Sequence, residues 1–223
     1  MEKFTNEYKI RQNECNENLE IRIGALWDIM QDAADLHAIK LGFSQKAMFA
    51  NNNFFLLARM DLKINRLPKV REKIKVTTYP AGVSKLFCVR KYDIYDKNNV
   101  LLAKSTCLWI IASLDTMRPL RPHKEYPEIE LFNKTYDESI PEKISTPENL
   151  EKIYEIKAEY DDIDVNGHVN NSRYINWIEN SLRKGFSEIE VNYLKETKLG
   201  ETLEVFKSDN IIKIGDKFIA KVK

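Results

Sequence analysis

The stretch DIDVNGHVNNSRYINWIEN, residues 162–180, changes from a polar loop into a helical pattern within a few residues. Asp164, Asn166 and His168 stand on alternate positions, and Gly167 gives backbone freedom between the last two. Histidine is the usual acid, base or hydrogen-bond donor near neutral pH, and asparagine offers both a donor and an acceptor. The loop therefore holds the side chains of a candidate reactive site.

The helix that follows is predicted over about 170–183, beginning at Val169 or Asn170. Its first N–H groups have no partner within the helix, and they would stabilise an oxyanion that develops beside them. Taken alone, the same residues also fit a helix cap with an Asx-rich turn before it and no chemistry.

Around this stretch the chain shows helices followed by strands, twice over. Residues 24–42 have apolar side chains on a helical period, with Gly42 where a C-terminal cap is expected. Alternating or apolar stretches predict strands at 54–66, 71–80, 84–96 and 99–115 in the first half, and at 154–160, 188–196, 201–208, 210–214 and 217–222 in the second.

An internal repeat connects the two halves. Residues 60–76 can be laid over residues 189–205 without a gap. Between the halves, residues 116–152 hold five of the seven prolines, which is typical of an irregular connection. We therefore predict an α+β fold of two similar units, with the first at 1–125, a linker at 126–152 and the second at 153–223.

The composition is that of a soluble globular protein. Of its 223 residues, 43% are hydrophobic and 31% are charged, which is enough to bury a sizeable core. A net charge of +1 gives no basic excess, so we expect no nucleic-acid partner. The N-terminus is polar rather than signal-like, and the longest apolar runs, at 54–58 and 107–112, are too short to span a bilayer. We expect no membrane partner.

Cysteine and histidine usage argues against a disulfide framework or a metal site. The three cysteines, Cys15, Cys88 and Cys107, are widely spaced, and His37 and His123 are far from His168 in the sequence. A reducing, cytoplasmic location is expected, with no metal.

The pattern D-x-N-x-H-V-N-N-x-x-Y-x-x-W runs from Asp164 to Trp177. It resembles the signature of the acyl-acyl-carrier-protein (acyl-ACP) thioesterases of plants and bacteria, which are hotdog-fold proteins. The resemblance extends to residues 51–80, 101–122 and 191–201. It implies a double hotdog fold, in which each of two units has an antiparallel sheet wrapped around a long central helix.

The resemblance also implies a catalytic set. In that family the asparagine and histidine of the motif are implicated in catalysis and the aspartate supports them, which gives Asn166, His168 and Asp164 here. A glutamate on a following strand is the proposed base and matches Glu196. Many plant members have a cysteine directly after that glutamate, whereas this chain has Thr197. We therefore expect water rather than a thiol as the nucleophile.

The reaction implied is hydrolysis of fatty acyl-ACP, which releases a free fatty acid and ends chain elongation without a cofactor. Glu196 would take a proton from water, while backbone N–H groups around Gly167 and His168 polarise the thioester carbonyl. Gly167, Val169 and Asn170 are the residues expected to contact the substrate at the helix N-terminus.

The acyl chain needs an apolar slot, which we expect in the first unit. That unit has no Asn-x-His pair and is predicted to hold no second catalytic centre. Trp27, Met30 and Ala34 are candidate lining residues, with the strand at 54–58; ordinary core packing is the alternative for each.

The expected partner is ACP, which is acidic. Basic clusters at 69–73 and 118–124, with Arg183 and Lys184, would steer it, although solvated surface charge is the alternative. The chain would act as a monomer or a homodimer. Three other functions stay open: an acyl-CoA thioesterase or a hydratase of the same fold, and a non-catalytic module that binds acyl thioesters.

Overall fold

The structure, a computed structural model, describes residues 3–183 and 185–223, so Lys184 of the predicted basic cluster lies outside the described residues. The first unit contains β1 (Phe4–Lys9), α1 (Ile23–Lys40), α2 (Gln45–Ala50), β2 (Asn53–Ile64), β3 (Lys73–Ser84), β4 (Phe87–Asp96) and β5 (Leu101–Ser113). Two short helices follow, α3 (Pro122–Glu125) and α4 (Glu130–Asn133). The second unit contains β6 (Glu151–Lys157), α5 (Asn171–Leu182), β7 (Glu188–Tyr193), β8 (Thr202–Ser208), β9 (Ile211–Ile214) and β10 (Phe218–Val222).

Within the described residues the strands form one ten-stranded antiparallel sheet, in the order β1-β3-β4-β5-β2-β7-β10-β9-β8-β6. The two units meet at its centre, where β2 pairs with β7 and Met60 lies opposite Val191. Apolar side chains alternate along these strands, which buries one face of the sheet against the helices. The units therefore share one sheet and one continuous core.

The predicted repeat is confirmed by the strands. In the alignment of 60–76 with 189–205, the last residue of β2, Ile64, falls on Tyr193, the last residue of β7. The first residue of β3, Lys73, falls on Thr202, the first residue of β8. The strand order on either side of the β2–β7 pair is correspondingly mirrored.

The two long helices, α1 and α5, pack against each other on the inner face of the sheet. Gly24 allows the close approach, because a Cβ there would lie 2.0 Å from Oδ1 of Asn176 on α5. Glu179, one turn further along α5, accepts hydrogen bonds from the first N–H groups of α1. The N-terminal end of α1 is thus placed by a residue of the second unit.

Within the described residues, none of the helices combines the length and the apolar character needed to cross a bilayer.

Candidate active site

Asp164 builds the loop that carries Asn166 and His168. Its backbone N–H donates to the carbonyl of His168 at 2.8 Å, and its carbonyl accepts from the N–H of Gly167 at 3.0 Å. Its carboxylate accepts from the backbone N–H of Asn166 at 2.8 Å. Gly167 adopts φ +80°, a left-handed conformation that disfavours other residues. The alternation in the sequence therefore closes a tight turn directly before α5.

Helix α5 begins at Asn171, one to two residues later than the sequence predicts. Asn170 is its N-cap, and the Asn170 side chain accepts from the N–H of Ser172 at 3.0 Å. The N–H groups of Gly167 and His168, expected to polarise the substrate, already have acceptors in Asp164, at 3.0 Å and 3.4 Å. Among the described residues, the N–H of Asn171 has no acceptor, so it is a free donor at this helix N-terminus.

The structure brings His168 and Glu196 together. Nε2 of His168 lies 3.0 Å from Oε2 of Glu196, which follows β7 in the chain. At this distance the imidazole and the carboxylate are in direct polar contact. The two side chains are 28% and 37% exposed, which leaves both open to a substrate. The pair lies immediately before the N-terminus of α5.

Asn166 makes different contacts. Its Oδ1 accepts from Nε2 of Gln45 at 2.6 Å, and its Nδ2 lies 3.4 Å from Oδ2 of Asp164. None of its hydrogen bonds within the described residues reaches Glu196. Gln45 is the first residue of α2 in the other unit, and sequence reasoning missed it because nothing near residue 45 resembles the motif.

Thr197 and Tyr174 hold Glu196 in place, and the sequence reasoning gave neither this task. Thr197 is fully buried; its carbonyl accepts from the N–H of Val169 at 2.8 Å, and its hydroxyl accepts from Tyr174 at 2.8 Å. Burial raises the pKa of Tyr174 to about 12, which keeps the phenol a neutral donor. The motif tyrosine was the available signal. Its hydrogen bond to Thr197 ties α5 to the segment after β7 that carries Glu196.

The three cysteines lie outside the unit that carries His168 and Glu196. Cys15, Cys88 and Cys107 belong to the first unit, and burial raises the pKa of each thiol, that of Cys88 to about 12. A raised pKa keeps a thiol protonated and therefore weakly nucleophilic. The expectation that no Cys–His pair acts here is consistent with this placement.

The other expected substrate residues differ in exposure. Gly167 is exposed, Asn170 is half-buried, and Val169 is buried in the core. In the first unit, Trp27 and Met30 are fully buried and Ala34 is 8% exposed. These three residues belong to the closed core in this structure, so their contact with an acyl chain stays a prediction that requires the core to open.

A cleft of about 1130 Å³ lies elsewhere, along the outer sides of α1 and α5. Its lining is polar and includes Asp28, Arg173, Glu179 and Arg183, with no contribution from His168 or Glu196. The cleft therefore does not belong to the candidate site. Arg183, predicted to help steer ACP, is on this cleft.

The loop of the candidate site has a structural copy in the first unit. The N–H of Asn16 donates to the carbonyl of Glu20 at 2.7 Å, as Asp164 does to His168. The Asn16 side chain accepts from the N–H of Asn18 at 2.9 Å, as Asp164 accepts from Asn166. The copied loop leads into α1 as the original leads into α5, and its alternating Asn16, Asn18 and Glu20 were a readable signal.

The copy has the scaffold of the site without its reactive side chains. Ile21 donates its N–H to the carbonyl of Pro68 at 2.9 Å, the counterpart of the contact between Val169 and Thr197. Leu67 thus stands where the second unit has Glu196, and Glu20 stands where it has His168. The predicted absence of a second catalytic centre stays a prediction, which these two residues favour.

Comparison with known proteins decides the family. The acyl-ACP thioesterase N-terminal domain matches residues 1–129, and the acyl-ACP thioesterase C-terminal domain matches residues 145–221. The chain belongs to the acyl-ACP thioesterase family. Among curated relatives of this family member, the chloroplastic acyl-[acyl-carrier-protein] hydrolase FATB2 of Cuphea viscosissima is 26% identical over 192 residues, which cover 78% of this chain and 46% of the relative. The chain spans about half the length of the curated plant relatives it matches.

Solved structures confirm the double hotdog fold of this family member. An acyl-ACP thioesterase from Bacteroides thetaiotaomicron matches with a TM-score of 0.80 and 24% identity, covering 99% of this chain and 96% of that one. The 12:0-ACP thioesterase from Umbellularia californica matches with a TM-score of 0.78 and 19% identity, over 99% and 96% of the two chains. The predicted α+β double hotdog is therefore correct.

Proposed function

We propose that this chain hydrolyses the thioester of fatty acyl-ACP and releases a free fatty acid, as an acyl-[acyl-carrier-protein] hydrolase. The observation that carries the proposal is the 3.0 Å contact between His168 and Glu196 beside the N-terminus of α5. It offers a base next to a free helix N–H, as thioester hydrolysis by water requires. Family membership supports an acyl-ACP substrate.

In the proposed mechanism, Glu196 takes a proton from water while the water oxygen adds to the thioester carbonyl carbon. The oxyanion accepts a hydrogen bond from the N–H of Asn171, which replaces the Gly167 and His168 N–H groups in that role. The intermediate collapses, the C–S bond breaks, and Glu196 returns its proton to the phosphopantetheine thiolate. His168 holds the Glu196 carboxylate, and Asp164 holds the turn that presents His168.

The division of labour between units belongs to the same proposal. Residues 153–223 would supply the base and the helix N-terminus, residues 1–125 the acyl-chain pocket, and residues 126–152 the connection. Gln45 supports this arrangement, because its hydrogen bond to Asn166 connects the first unit to the loop that precedes α5 in the second. ACP is the proposed macromolecular partner.

The test is thiol release from acyl-ACP by purified wild type, Glu196→Gln and His168→Ala. Loss of a general base costs about 10²- to 10⁴-fold in rate, so Glu196→Gln is expected to fall by that much. Glu204→Gln is the matched control, since Glu204 is an exposed carboxylate on β8 paired with Lys152. A Glu196→Gln enzyme as fast as wild type would remove Glu196 from the mechanism.

The same assay separates the alternative functions. Faster turnover of acyl-CoA than of acyl-ACP would make the chain an acyl-CoA thioesterase, and addition of water to an enoyl thioester would make it a hydratase. Binding of acyl-ACP without thiol release would make it a non-catalytic acyl-thioester-binding module.

A further inference from the structure

Gln45 is a side chain of the first unit that touches the loop of the second unit carrying Asn166 and His168. Its Nε2 donates to Oδ1 of Asn166 at 2.6 Å, a contact between residues 121 positions apart. Asn166 also has its backbone N–H on the Asp164 carboxylate at 2.8 Å and its Nδ2 3.4 Å from the same carboxylate. Gln45 and Asp164 therefore contact opposite ends of one amide.

This arrangement selects one orientation of the Asn166 amide. The carboxylate of Asp164 accepts only, so it favours Nδ2 on its side, while the Nε2 of Gln45 favours Oδ1 on the other. The second N–H of Nδ2 is then available to a substrate or a water at the site. Without Gln45, Oδ1 loses its partner, and only the 3.4 Å contact with Asp164 still orients the amide.

Helix α2, which carries Gln45, is held by an N-terminal cap and by apolar packing. Ser44 caps it by accepting from the N–H of Ala47 at 3.3 Å. Met48 is 3% exposed and packs in an apolar cluster with Tyr126 and Phe132, and the Tyr126 hydroxyl donates to its sulfur at 3.4 Å. Gln45 itself is exposed, so its side chain can be replaced while the packing of α2 is kept.

We propose that Gln45 is a positioning residue, which fixes the amide of Asn166 so that one N–H of Nδ2 faces Asp164 and the other is left to bind the substrate. The proposal rests on the proposed thioesterase function and adds a residue to its site. It assigns the first unit a part in the chemistry of the second, through a residue outside the motif. Gln45 acts through Asn166 and makes no contact with the reacting atoms.

The kinetic test measures thiol release by Gln45→Ala in wild-type and Asn166→Ala backgrounds. Gln45→Ala is expected to lower kcat about 3- to 10-fold, the range of one hydrogen bond, with KM within about twofold. In the Asn166→Ala background it should cost nothing further, because the residue it acts through is gone. Equal losses in both backgrounds would overturn the proposal.

Two further variants separate positioning from a general effect on α2. Gln45→Glu should lose more than Gln45→Ala, because a carboxylate draws Nδ2 of Asn166 and turns Oδ1 toward Asp164. Asn51→Ala is the matched control: Asn51 donates to the carbonyl of Ala47 at 3.0 Å at the other end of α2, away from Asn166. An activity loss in Asn51→Ala equal to that in Gln45→Ala would reduce Gln45 to a structural residue.

A readout independent of activity is the side-chain amide resonance of Asn166 in nitrogen-15 spectra, assigned by its disappearance in Asn166→Ala. Gln45→Ala should shift this resonance, and Asn51→Ala should leave it in place. An unmoved resonance overturns the proposal even in an active enzyme. If wild type releases no thiol from acyl-ACP, the proposed function fails, and the spectrum still decides whether Gln45 holds Asn166.

Discussion

Glu179 shows how one side chain can join two units. Its carboxylate oxygens accept the N–H groups of Ile23 and Gly24 at 3.3 Å each, at the N-terminus of α1. Arg22, the N-cap of α1, makes no side-chain capping bond there. Glu179 of the other unit therefore accepts the hydrogen bonds that an N-cap side chain would accept. Burial raises the pKa of Glu179, and the two N–H groups oppose that rise only in part.

Replacing Glu179 by alanine is expected to destabilise the fold in a pH-dependent way. The loss of a cap costs about 1 kcal/mol. Because the folded pKa is raised, the contribution of Glu179 to stability is fully present below its usual pKa of 4.5 and is lost as pH rises through the folded pKa. The cost of Glu179→Ala should therefore be largest at acid pH and shrink toward neutrality.

Urea unfolding of both proteins from pH 4 to pH 7 measures this difference, since other carboxyls titrate alike in the two chains. Glu204→Ala provides the baseline for an exposed glutamate. A cost that grows with pH would mean that the charged carboxylate is the favoured form in this cap.

At the scale of elements, the long helices were predicted from the sequence and the short helix α2 was not. The long helices were predicted at 24–42 and about 170–183 and are observed at Ile23–Lys40 and Asn171–Leu182, because their apolar periods extend over several turns. Helix α2 has six residues, too few to show a period, and it was missed. With it went the contact of Gln45, which only tertiary packing creates.

Some features of the candidate site could be predicted from the sequence, and others could not. The motif was available from the sequence because its residue types are specific, and Glu196 followed from the resemblance to the acyl-ACP thioesterases. The roles of the N–H groups were not, since Asp164 occupies those of Gly167 and His168 through contacts that depend on the turn geometry. Thr197 and Tyr174 bond across 23 positions, and no local pattern indicates such a pair.

The proline-rich connection is an element that composition alone described as irregular, and its path is set by tertiary contacts. Asn192 of β7 is 3% exposed; its Oδ1 accepts from the N–H of Ile144 at 2.8 Å, and its Nδ2 donates to the carbonyl of Glu142 at 3.1 Å. Arg59 of β2 donates to the carbonyl of Pro141 at 3.3 Å. The connection is thus held where β2 of the first unit pairs with β7 of the second.

Asn192→Ala is expected to cost about 2 kcal/mol of unfolding free energy, because two part-buried hydrogen bonds are lost. The connection near residues 141–144 should also become more sensitive to protease, since these hydrogen bonds are removed. Urea unfolding and timed proteolysis measure the two effects, with Asn98→Ala in the exposed β4–β5 turn as the control. Unchanged cleavage would show that Asn192 does not hold the connection.

At the scale of the whole molecule, the two interiors differ although the scaffolds repeat. Aromatic rings pack in both: in the second unit Tyr174 stacks on Phe218 with ring centroids 5.0 Å apart, and in the first unit Trp27 packs against Tyr92 at 6.4 Å. Beside the first unit alone, α2, α3 and the linker helix α4 cover a separate apolar cluster that includes Met48 and Phe132. This asymmetry favours the first unit as the acyl-chain pocket.

Met30 and Ile178 allow a matched test of that inference. Each lies seven residues after the first residue of its helix, α1 or α5, and each is fully buried. Either residue replaced by alanine removes similar volume and should cost about 2–5 kcal/mol. Only the cavity left by Met30→Ala would extend the proposed pocket, so only that variant should shift turnover toward longer acyl chains.

The measurement is kcat/KM across acyl-ACPs of increasing chain length for both variants, at a temperature where both remain folded. Equal loss of stability with a shift only in Met30→Ala would separate the pocket from ordinary core packing, the alternative for Met30. A shift in Ile178→Ala instead would move the acyl chain into the second unit. The two positions match in helix register and burial. A difference in chain-length preference between the two variants would therefore show which unit binds the acyl chain, and not how tightly each core is packed.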